Sequence, residues 1–233
     1  IRACFGKKLI HFTSDDKAEE SMDIVFGKGF ANARKQWIAA HDPNIRTDLS
    51  VDATEERDCS MTLSQFLNTQ VIKFSVVDCG RSLPSCIDGF KISQRKIFHT
   101  ADKRGLRGEK PPMKVAQLGG AAAEETNYPN GENNLLETTT KMAASFVGSN
   151  NIPLFMDLGN FGSRLEGGSD AANGRYTFTK ISPLAELIFH EDDRCVLDYI
   201  EDDGDSVEPV YFAPVLPMIL INGCHAGIAT GWS

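Results

Sequence analysis

The segment from residue 159 to residue 174 constrains the fold more than any other part of this sequence. Its glycines, at 159, 162, 167, 168 and 174, come too close together for a regular helix or strand, so the segment is predicted to be a loop. Stretches with helical patterns come before this loop, and a short strand follows it. This order predicts a winged helix, which is a helix-turn-helix with a β wing and belongs to the mixed α/β (α+β) class.

Three helices are predicted ahead of the loop. The first runs from Ser93, whose hydroxyl is expected to cap it, to about Lys103. The second spans about residues 113–125 and the third about residues 132–147. Side chains that recur at helical spacing define the core face of the third helix: Leu135, Thr139, Met142 and Phe146.

The first 76 residues are predicted to form a helical linker region ahead of the winged-helix domain, which spans residues 77–233. Residues 17–40 hold one helix-like stretch, residues 44–60 are polar and predicted to be a loop, and residues 61–77 are amphipathic. Because the chain begins without methionine and stops directly after an apolar stretch, we expect a fragment of a longer protein.

Charge is distributed unevenly along the chain, although the formal net charge is −8. Residues 91–114 hold eight lysines and arginines against two acids, whereas residues 191–208 hold nine acids against Arg194 alone. A basic segment of this kind can face a polyanion or can be an ordinary solvated surface. The acidic segment predicts two strands around a solvated turn.

Neither a metal site nor a membrane span is predicted. The six cysteines include no pair two residues apart, and none lies near a paired-histidine motif, which argues against zinc. The longest apolar run, residues 212–221, contains two prolines and is shorter than the roughly 20 residues that a bilayer requires.

Tyr176, next to Arg175, is the strongest candidate for a reacting group. A phenol is a weak nucleophile at neutral pH unless its anion is stabilised, and a neighbouring arginine can stabilise that anion and also bind a phosphate. In a regular strand the two side chains would point to opposite faces. Both can therefore reach one phosphate only if Gly174 and Asn173 make the entry to the strand irregular. From this pair alone, the alternative is that Tyr176 and Phe178 form the inward face of a wing strand.

Eight strings stand out when the chain is read in order. They are RSLP at 81–84, DGFK at 88–91, QRK at 94–96, KVAQL at 114–118, FVGSNN at 146–151, GNFGSR at 159–164, Arg175-Tyr176 and LPMILING at 216–223. Together they resemble the breakage-reunion region of type II DNA topoisomerases of the eukaryotic and large-DNA-virus type. The resemblance covers roughly residues 77–233 and is much looser over the first 76.

The resemblance implies roles for individual residues. Tyr176 aligns with the catalytic tyrosine, which forms a transient 5′-phosphotyrosyl bond, and Arg175 aligns with the arginine that assists it. Arg95 matches an arginine that contacts DNA near the scissile phosphate, and Val215 falls where the family inserts an isoleucine between base pairs to bend the DNA. The residues expected to bind DNA are Lys91, Arg95, Lys96, Lys114, Gln117, Asn130 and Val215.

The resemblance also implies cofactors and partners. It predicts an ATP-dependent type II topoisomerase that cleaves and religates double-stranded DNA to relax or decatenate it, and that works as a homodimer. Mg²⁺ would be held by a TOPRIM domain, which residues 1–76 would follow, and ATP by another part of the full-length enzyme. The chain alone is expected to hold no metal and to be inactive.

The sequence departs from the family pattern around Asn130. The family usually has Tyr-His-His-Gly-Glu, whereas residues 128–132 read Tyr-Pro-Asn-Gly-Glu, so Asn130 replaces a histidine expected to help hold the phosphate. An amide can still donate a hydrogen bond but brings no positive charge. Such departures favour a version from a large DNA virus, which would act in the host cytoplasm; a cellular eukaryotic version would be nuclear.

Two readings without chemistry stay open at this point. In one, the chain is a winged-helix DNA-binding module whose basic helices grip phosphates while Tyr176 belongs to the core. In the other, it is a protein-interaction module that uses the acidic hairpin and has no affinity for DNA.

Overall fold

The computed structural model describes residues 9–42, 58–202, 204–224 and 226–232. Contacts divide the chain into two compact units, Ile1–Ser82 with Gly227–Ser233, and Leu83–Ala226. The predicted boundary after residue 76 falls inside a helix, and the division by contacts lies after Ser82. The assignment of residues 1–76 to a segment that follows a TOPRIM domain stays a prediction.

The first unit combines a pair of parallel strands with helices. The strands are β1 (Leu9–Thr13) and β2 (Asp58–Thr62), with Leu9 opposite Asp58 and Thr13 opposite Thr62. The helices are α1 (Ala18–Phe26), α2 (Ala31–Ala39), α3 (Leu63–Phe66) and α4 (Ile72–Ser82), with a π-helical stretch (Leu67–Val71) between the last two.

Two sequence-based predictions for this unit are corrected. The single helix over residues 17–40 is two helices, because Gly27 leaves the helical conformation at the end of α1 (ψ 141°) and Gly29 adopts a positive φ of 87°. The predicted loop over residues 44–60 is wrong at its end, since residues 58–60 belong to β2. Residues 44–57 lie outside the described residues.

The second unit carries the predicted winged helix. Its helices are α5 (Ile92–Lys103), α6 (Val115–Glu125), α7 (Glu132–Ala143), α8 (Pro183–Ile188) and α9 (Met218–Ile221), with a 3₁₀ turn at Glu191–Cys195. Its strands are β3 (Met113–Lys114), β4 (Phe178–Thr179), β5 (Tyr199–Asp202) and β6 (Asp205–Pro209).

Helices α5, α6 and α7 pack on one another around a single apolar core. Phe98 of α5, Leu118 of α6 and Leu135 of α7 are fully buried there. Aromatic rings extend the core away from the helices: Phe98 lies 4.7 Å from Phe189 and 5.1 Å from Phe212, measured between ring centroids. The segments that follow α8 and β6 are therefore fixed to the three-helix core by aromatic contacts.

The wing is a short antiparallel sheet beside α6. Met113 of β3 lies opposite Thr179 of β4, and Lys114 lies opposite Phe178. Isolated bridges join Phe155 to Ile181 and Leu158 to Phe178, which extends the sheet on the far side of β4. The three helices and this wing confirm the predicted mixed fold.

Local boundaries differ from the predictions in three places. Ser93 does not cap α5, because the side chain of Gln94 accepts the backbone N–H of Lys91 (2.9 Å) and the helix begins at Ile92. Helix α7 ends at Ala143 rather than near residue 147. Arg175 and Tyr176 lie in a turn before β4, not in the strand itself. Within the described ranges, every helix is too short or too polar to span a bilayer.

Candidate functional site

Tyr176 stands on a tight turn at the mouth of the wing. Its backbone N–H donates to the carbonyl of Asn173 (2.9 Å), and the N–H of Arg175 donates to the side-chain oxygen of the same asparagine (3.1 Å). The turn leaves Tyr176 77% exposed, and Phe178 is also largely open to solvent. The alternative in which Tyr176 and Phe178 form the inward face of a strand is therefore wrong.

The first residues of α6 hold this turn in place. Ala116 donates its N–H to the carbonyl of Gly174 (2.9 Å), and Val115 donates to the carbonyl of Thr177 (3.1 Å). Gly174 has to be glycine for this approach, since a Cβ there would lie 3.0 Å from Cγ1 of Val115. The phenol of Tyr176 is thus mounted beside the N-terminus of an 11-residue helix, where the helix dipole favours negative charge.

Two cations lie close to Tyr176 in the fold. Arg175 precedes it directly, and Lys114 is paired across the wing with Phe178, its Nζ 5.9 Å from the centre of that ring. Both cationic side chains are exposed, and neither forms an ion pair with any described residue. Their charges are therefore available to a polyanion from solution.

The glycine-rich loop has a defined shape. Asn160 donates its side-chain N–H to the carbonyl of Asp170 (2.9 Å), and the Asp170 carboxylate accepts the backbone N–H of Ser163 (2.8 Å). This backbone hydrogen bond holds the pKa of the Asp170 carboxyl below its ordinary value. Gly162 has a φ of 96°, and a Cβ there would lie 2.5 Å from the Cα of Gly168. The loop closes on itself by backbone contact that only glycine permits.

Three more residues predicted to bind DNA are accessible. Gln117 is exposed on α6, and Asn130 is exposed on the connection between α6 and α7. Val215 is 70% exposed, and its backbone N–H donates to the carbonyl of Ile188 (3.0 Å). An apolar side chain on a tethered backbone has the form of a wedge that can enter a base stack.

Arg95 and Lys96 lie inside the fold. The guanidinium of Arg95 makes a two-point contact with the fully buried carboxylate of Asp88, at 2.8 and 3.0 Å. The ammonium of Lys96 donates to Glu208 (2.7 Å) and to the carbonyl of Thr126 (2.6 Å). The contact of these two cations with DNA stays a prediction, but their charges are already neutralised by buried partners.

Lys91 has an intermediate position. It is half-buried, and its Nζ donates to the carbonyl of Ala226 (2.6 Å). Sequence reasoning did not single out Asp88 or Glu208 as partners for the basic run. Asp88 stood out only as part of the DGFK string, and Glu208 only as one acid of the hairpin.

A divalent cation does not fit the residues around Tyr176. In the described part of the chain, no three His, Cys, Asp or Glu side chains converge to hold a metal ion. The nearest acid in the glycine-rich loop, Asp170, already binds Ser163. No step derived for this chain therefore passes through a metal.

Known proteins share this fold over nearly the whole chain. The family that comprises the A-type subunits of DNA gyrase and topoisomerase IV matches residues 81–233. DNA topoisomerase 2 of Invertebrate iridescent virus 6 is 45% identical over 98% of this chain, and the mitochondrial DNA topoisomerase 2 of Dictyostelium discoideum is 42% identical over 97%. The chain spans only 19% and 17% of the length of these two relatives.

A solved structure is similar at the level of the backbone. The crystal structure of the Plasmodium falciparum topoisomerase II DNA-binding, cleavage and re-ligation domain superposes with a TM-score of 0.79 at 40% identity. The match covers 96% of this chain and 29% of that one. The resemblance that the sequence strings predicted is confirmed, and the chain belongs to the DNA gyrase/topoisomerase IV family of DNA-breaking subunits.

Proposed function

We propose that this chain is part of an ATP-dependent type II DNA topoisomerase, and that Tyr176 is the nucleophile that breaks the DNA. The observation that carries the proposal is the exposed phenol of Tyr176, on a turn fixed to the start of α6 and preceded by Arg175, whose guanidinium pairs with no described acid. The similarity to a domain whose title names DNA binding, cleavage and re-ligation supports the same function.

In the proposed step, the phenolic oxygen of Tyr176 attacks the phosphorus of a DNA phosphodiester and loses its proton. The bond from phosphorus to the 3′ oxygen breaks, and that oxygen leaves as a hydroxyl after gaining a proton. The 5′ end stays on Tyr176 as a phosphotyrosyl ester. Because one phosphoester replaces another, the 3′ hydroxyl can reseal the strand by the reverse step without ATP being used for ligation.

The exposed cations support the positioning of the phosphate. The guanidinium of Arg175 can bind two oxygens of one phosphate at once, and the charge that develops on them in the transition state strengthens that contact. Lys114 and Gln117 lie on the adjoining wing and helix, where they can hold the flanking backbone. Asn130 can donate a hydrogen bond to a phosphate from the loop before α7.

Val215 is proposed to act on the shape of the DNA. Its exposed side chain can enter between base pairs and bend the duplex, at a cost of a few kcal/mol for unstacking. Bending brings more of the duplex onto the cationic surface around Tyr176 and repays that cost.

The whole reaction is proposed to need parts outside this chain. Mg²⁺ would be held by acidic residues of a TOPRIM domain, ATP would drive strand passage from another domain, and the active protein would be a homodimer. The viral relative at 45% identity favours a viral source and action in the host cytoplasm; a cellular source would place the protein in the nucleus.

The experiment uses the full-length protein with supercoiled DNA and Mg²⁺, stopped with denaturant, and measures protein covalently bound to cleaved DNA ends. Tyr176→Phe is expected to abolish the adduct and to leave DNA binding intact. Tyr211→Phe, which removes another exposed phenol of the same unit, is the matched control and should form the adduct at the wild-type level. Adduct formation by Tyr176→Phe would leave a non-catalytic DNA-binding module as the better account. An absence of DNA binding at low salt would favour a protein-interaction module.

A further inference from the structure

The carboxylate of Asp88 joins three segments of the second unit. It is completely buried and accepts four hydrogen bonds. Two come from the guanidinium of Arg95 (2.8 and 3.0 Å), one from the backbone N–H of Phe90 (2.9 Å) and one from the backbone N–H of Phe212 (3.0 Å). The carboxylate thereby ties the turn before α5 and the helix itself to the segment that carries Val215.

The segment around Val215 is held on both sides of the exposed side chain. Phe212 is buried against the aromatic core, and Val215 donates its own N–H to Ile188. Gly89, directly after Asp88, packs on the other side: a Cβ at Gly89 would lie 2.8 Å from the backbone nitrogen of Ile219. The Asp88-Gly89 turn therefore contacts the chain both before and after the exposed valine.

A buried ion pair is a costly way to fasten a segment. Removing both charges from water opposes folding, and apolar residues of the same volume often stabilise a fold equally well. What the pair provides is direction, because a carboxylate that accepts two N–H donors from Arg95 presents its remaining lone pairs to Phe90 and Phe212 at fixed angles. The geometry therefore serves the placement of the backbone at Phe212.

We infer that Asp88, oriented by Arg95, is a positioning residue that holds Val215 as a rigid wedge and thereby sets how strongly the DNA is bent. The inference rests on the proposed function. An apolar wedge can unstack bases only if its backbone does not yield, since a mobile valine would retreat from the stack instead of opening it. Arg95 then promotes cleavage from inside the fold, without contact to a phosphate.

The experiment measures bending and cleavage separately in the full-length protein. Bending is followed by energy transfer between dyes at the two ends of a duplex, and cleavage by the covalent adduct on the same duplex. Asp88→Asn keeps the volume but loses the charge that orders Arg95. It is expected to reduce the energy-transfer change to that of Val215→Ala and to lower the adduct by roughly tenfold or more, with DNA affinity changed far less.

Two comparisons separate positioning from a general loss of structure. Asp88→Asn and Val215→Ala should not add in the double variant, because both remove the same wedge. A duplex with a flexible bulge at the insertion point bends at little cost, so it should restore adduct formation in both variants. Unfolding would lower the adduct equally on both duplexes. Additive effects, normal bending by Asp88→Asn, or failure of the bulged duplex to restore cleavage would each overturn the inference.

Further variants keep the test decisive. Arg95→Lys retains the charge but cannot make the two-point contact, so it should show the same bending defect if Asp88→Asn does not fold. Its DNA affinity should keep the wild-type salt dependence, and so should that of Arg95→Gln. A fall of about 0.9 in the slope of log affinity against log salt for Arg95→Gln would identify a direct phosphate contact and contradict the inference. Tyr176→Phe should bend DNA normally without forming an adduct; an adduct there would overturn the proposed function, and the bending data would still judge Asp88.

Discussion

The pair between Lys96 and Glu208 offers a quantitative test of how the second unit is held together. Lys96 lies on α5 and Glu208 on β6, and their charged atoms are 2.7 Å apart. The same ammonium donates to the carbonyl of Thr126, just beyond the end of α6 (2.6 Å). Both residues are more than nine-tenths buried, at 8% and 3% exposure. Replacing Lys96 with methionine leaves the Glu208 carboxylate and the Thr126 carbonyl without this donor.

The expected loss of stability follows from the geometry. Removing one partner of a buried ion pair costs about 3–5 kcal/mol, because the remaining charge stays away from water. Each 1.4 kcal/mol corresponds to roughly a factor of ten in an equilibrium constant. Amides that exchange only when this core opens should therefore exchange roughly a few hundred to a few thousand times faster in Lys96→Met.

The assay is hydrogen exchange read by mass spectrometry on the centre of α5, where Ile97 and Phe98 are fully buried. Lys103→Met is the matched control, since Lys103 is exposed on the same helix and forms no ion pair among the described residues. It should change the opening free energy by no more than about 0.5 kcal/mol.

The double variant Lys96→Met/Glu208→Leu separates charge from packing. Replacing a whole buried pair with apolar residues is often neutral or stabilising, so exchange should return close to the wild-type rate. Exchange as fast in the double variant as in Lys96→Met would place the effect in packing. Wild-type exchange in Lys96→Met would show that the pair contributes nothing to stability.

Three further predictions concern the turn, the surface and the core histidine. Gly174→Ala should reduce the DNA adduct strongly while DNA binding persists, because the new Cβ would lie 3.0 Å from Val115 and displace the Tyr176 turn; Gly80→Ala, with open space around it, is the control for adduct yield. Lys114→Gln should lower the slope of log affinity against log salt by about 0.9, as measured by titration of labelled duplex, because one exposed phosphate contact is lost; an unchanged slope would exclude that contact. Burial and, secondarily, the charge of Lys103 lower the pKa of His99 from 6.5 to about 4, so its contribution to stability is complete above pH 6.5 and is lost as the pH falls towards 4. Denaturant midpoints between pH 7 and pH 4 should therefore fall less in His99→Gln than in the wild type, and parallel curves would refute this reading.

Much of the fold could be predicted because its signals are local. The core face of α7 is written in the spacing of Leu135, Thr139 and Met142, all buried in the structure. The irregular entry at Asn173 and Gly174, required for Arg175 and Tyr176 to act together, is the turn that the structure contains. Local signals also misled where two competed, as at Ser93, where the side chain of Gln94 starts α5 one residue earlier.

The roles of the basic residues could not be predicted from the local sequence. Arg95 and Lys96 look solvent-facing because eight lysines and arginines crowd residues 91–114. Their partners stand outside that segment, and Glu208 is 112 residues from Lys96 along the chain. A count of charges in a window measures what is near in sequence, whereas burial depends on what the fold brings near in space. The same segment therefore contains both surface cations, such as Lys114, and internal ones.

The most direct test of the central claim is to identify the residue that carries the DNA. Covalent complexes of the full-length protein are digested with nuclease and trypsin, and the nucleotide-bearing peptide is sequenced by mass spectrometry. The proposed chemistry predicts the peptide that follows Arg175, Tyr176–Lys180, with the 5′ phosphate of the DNA on Tyr176, its only tyrosine. DNA attached to any other residue, or attached through its 3′ end, would contradict the proposed mechanism.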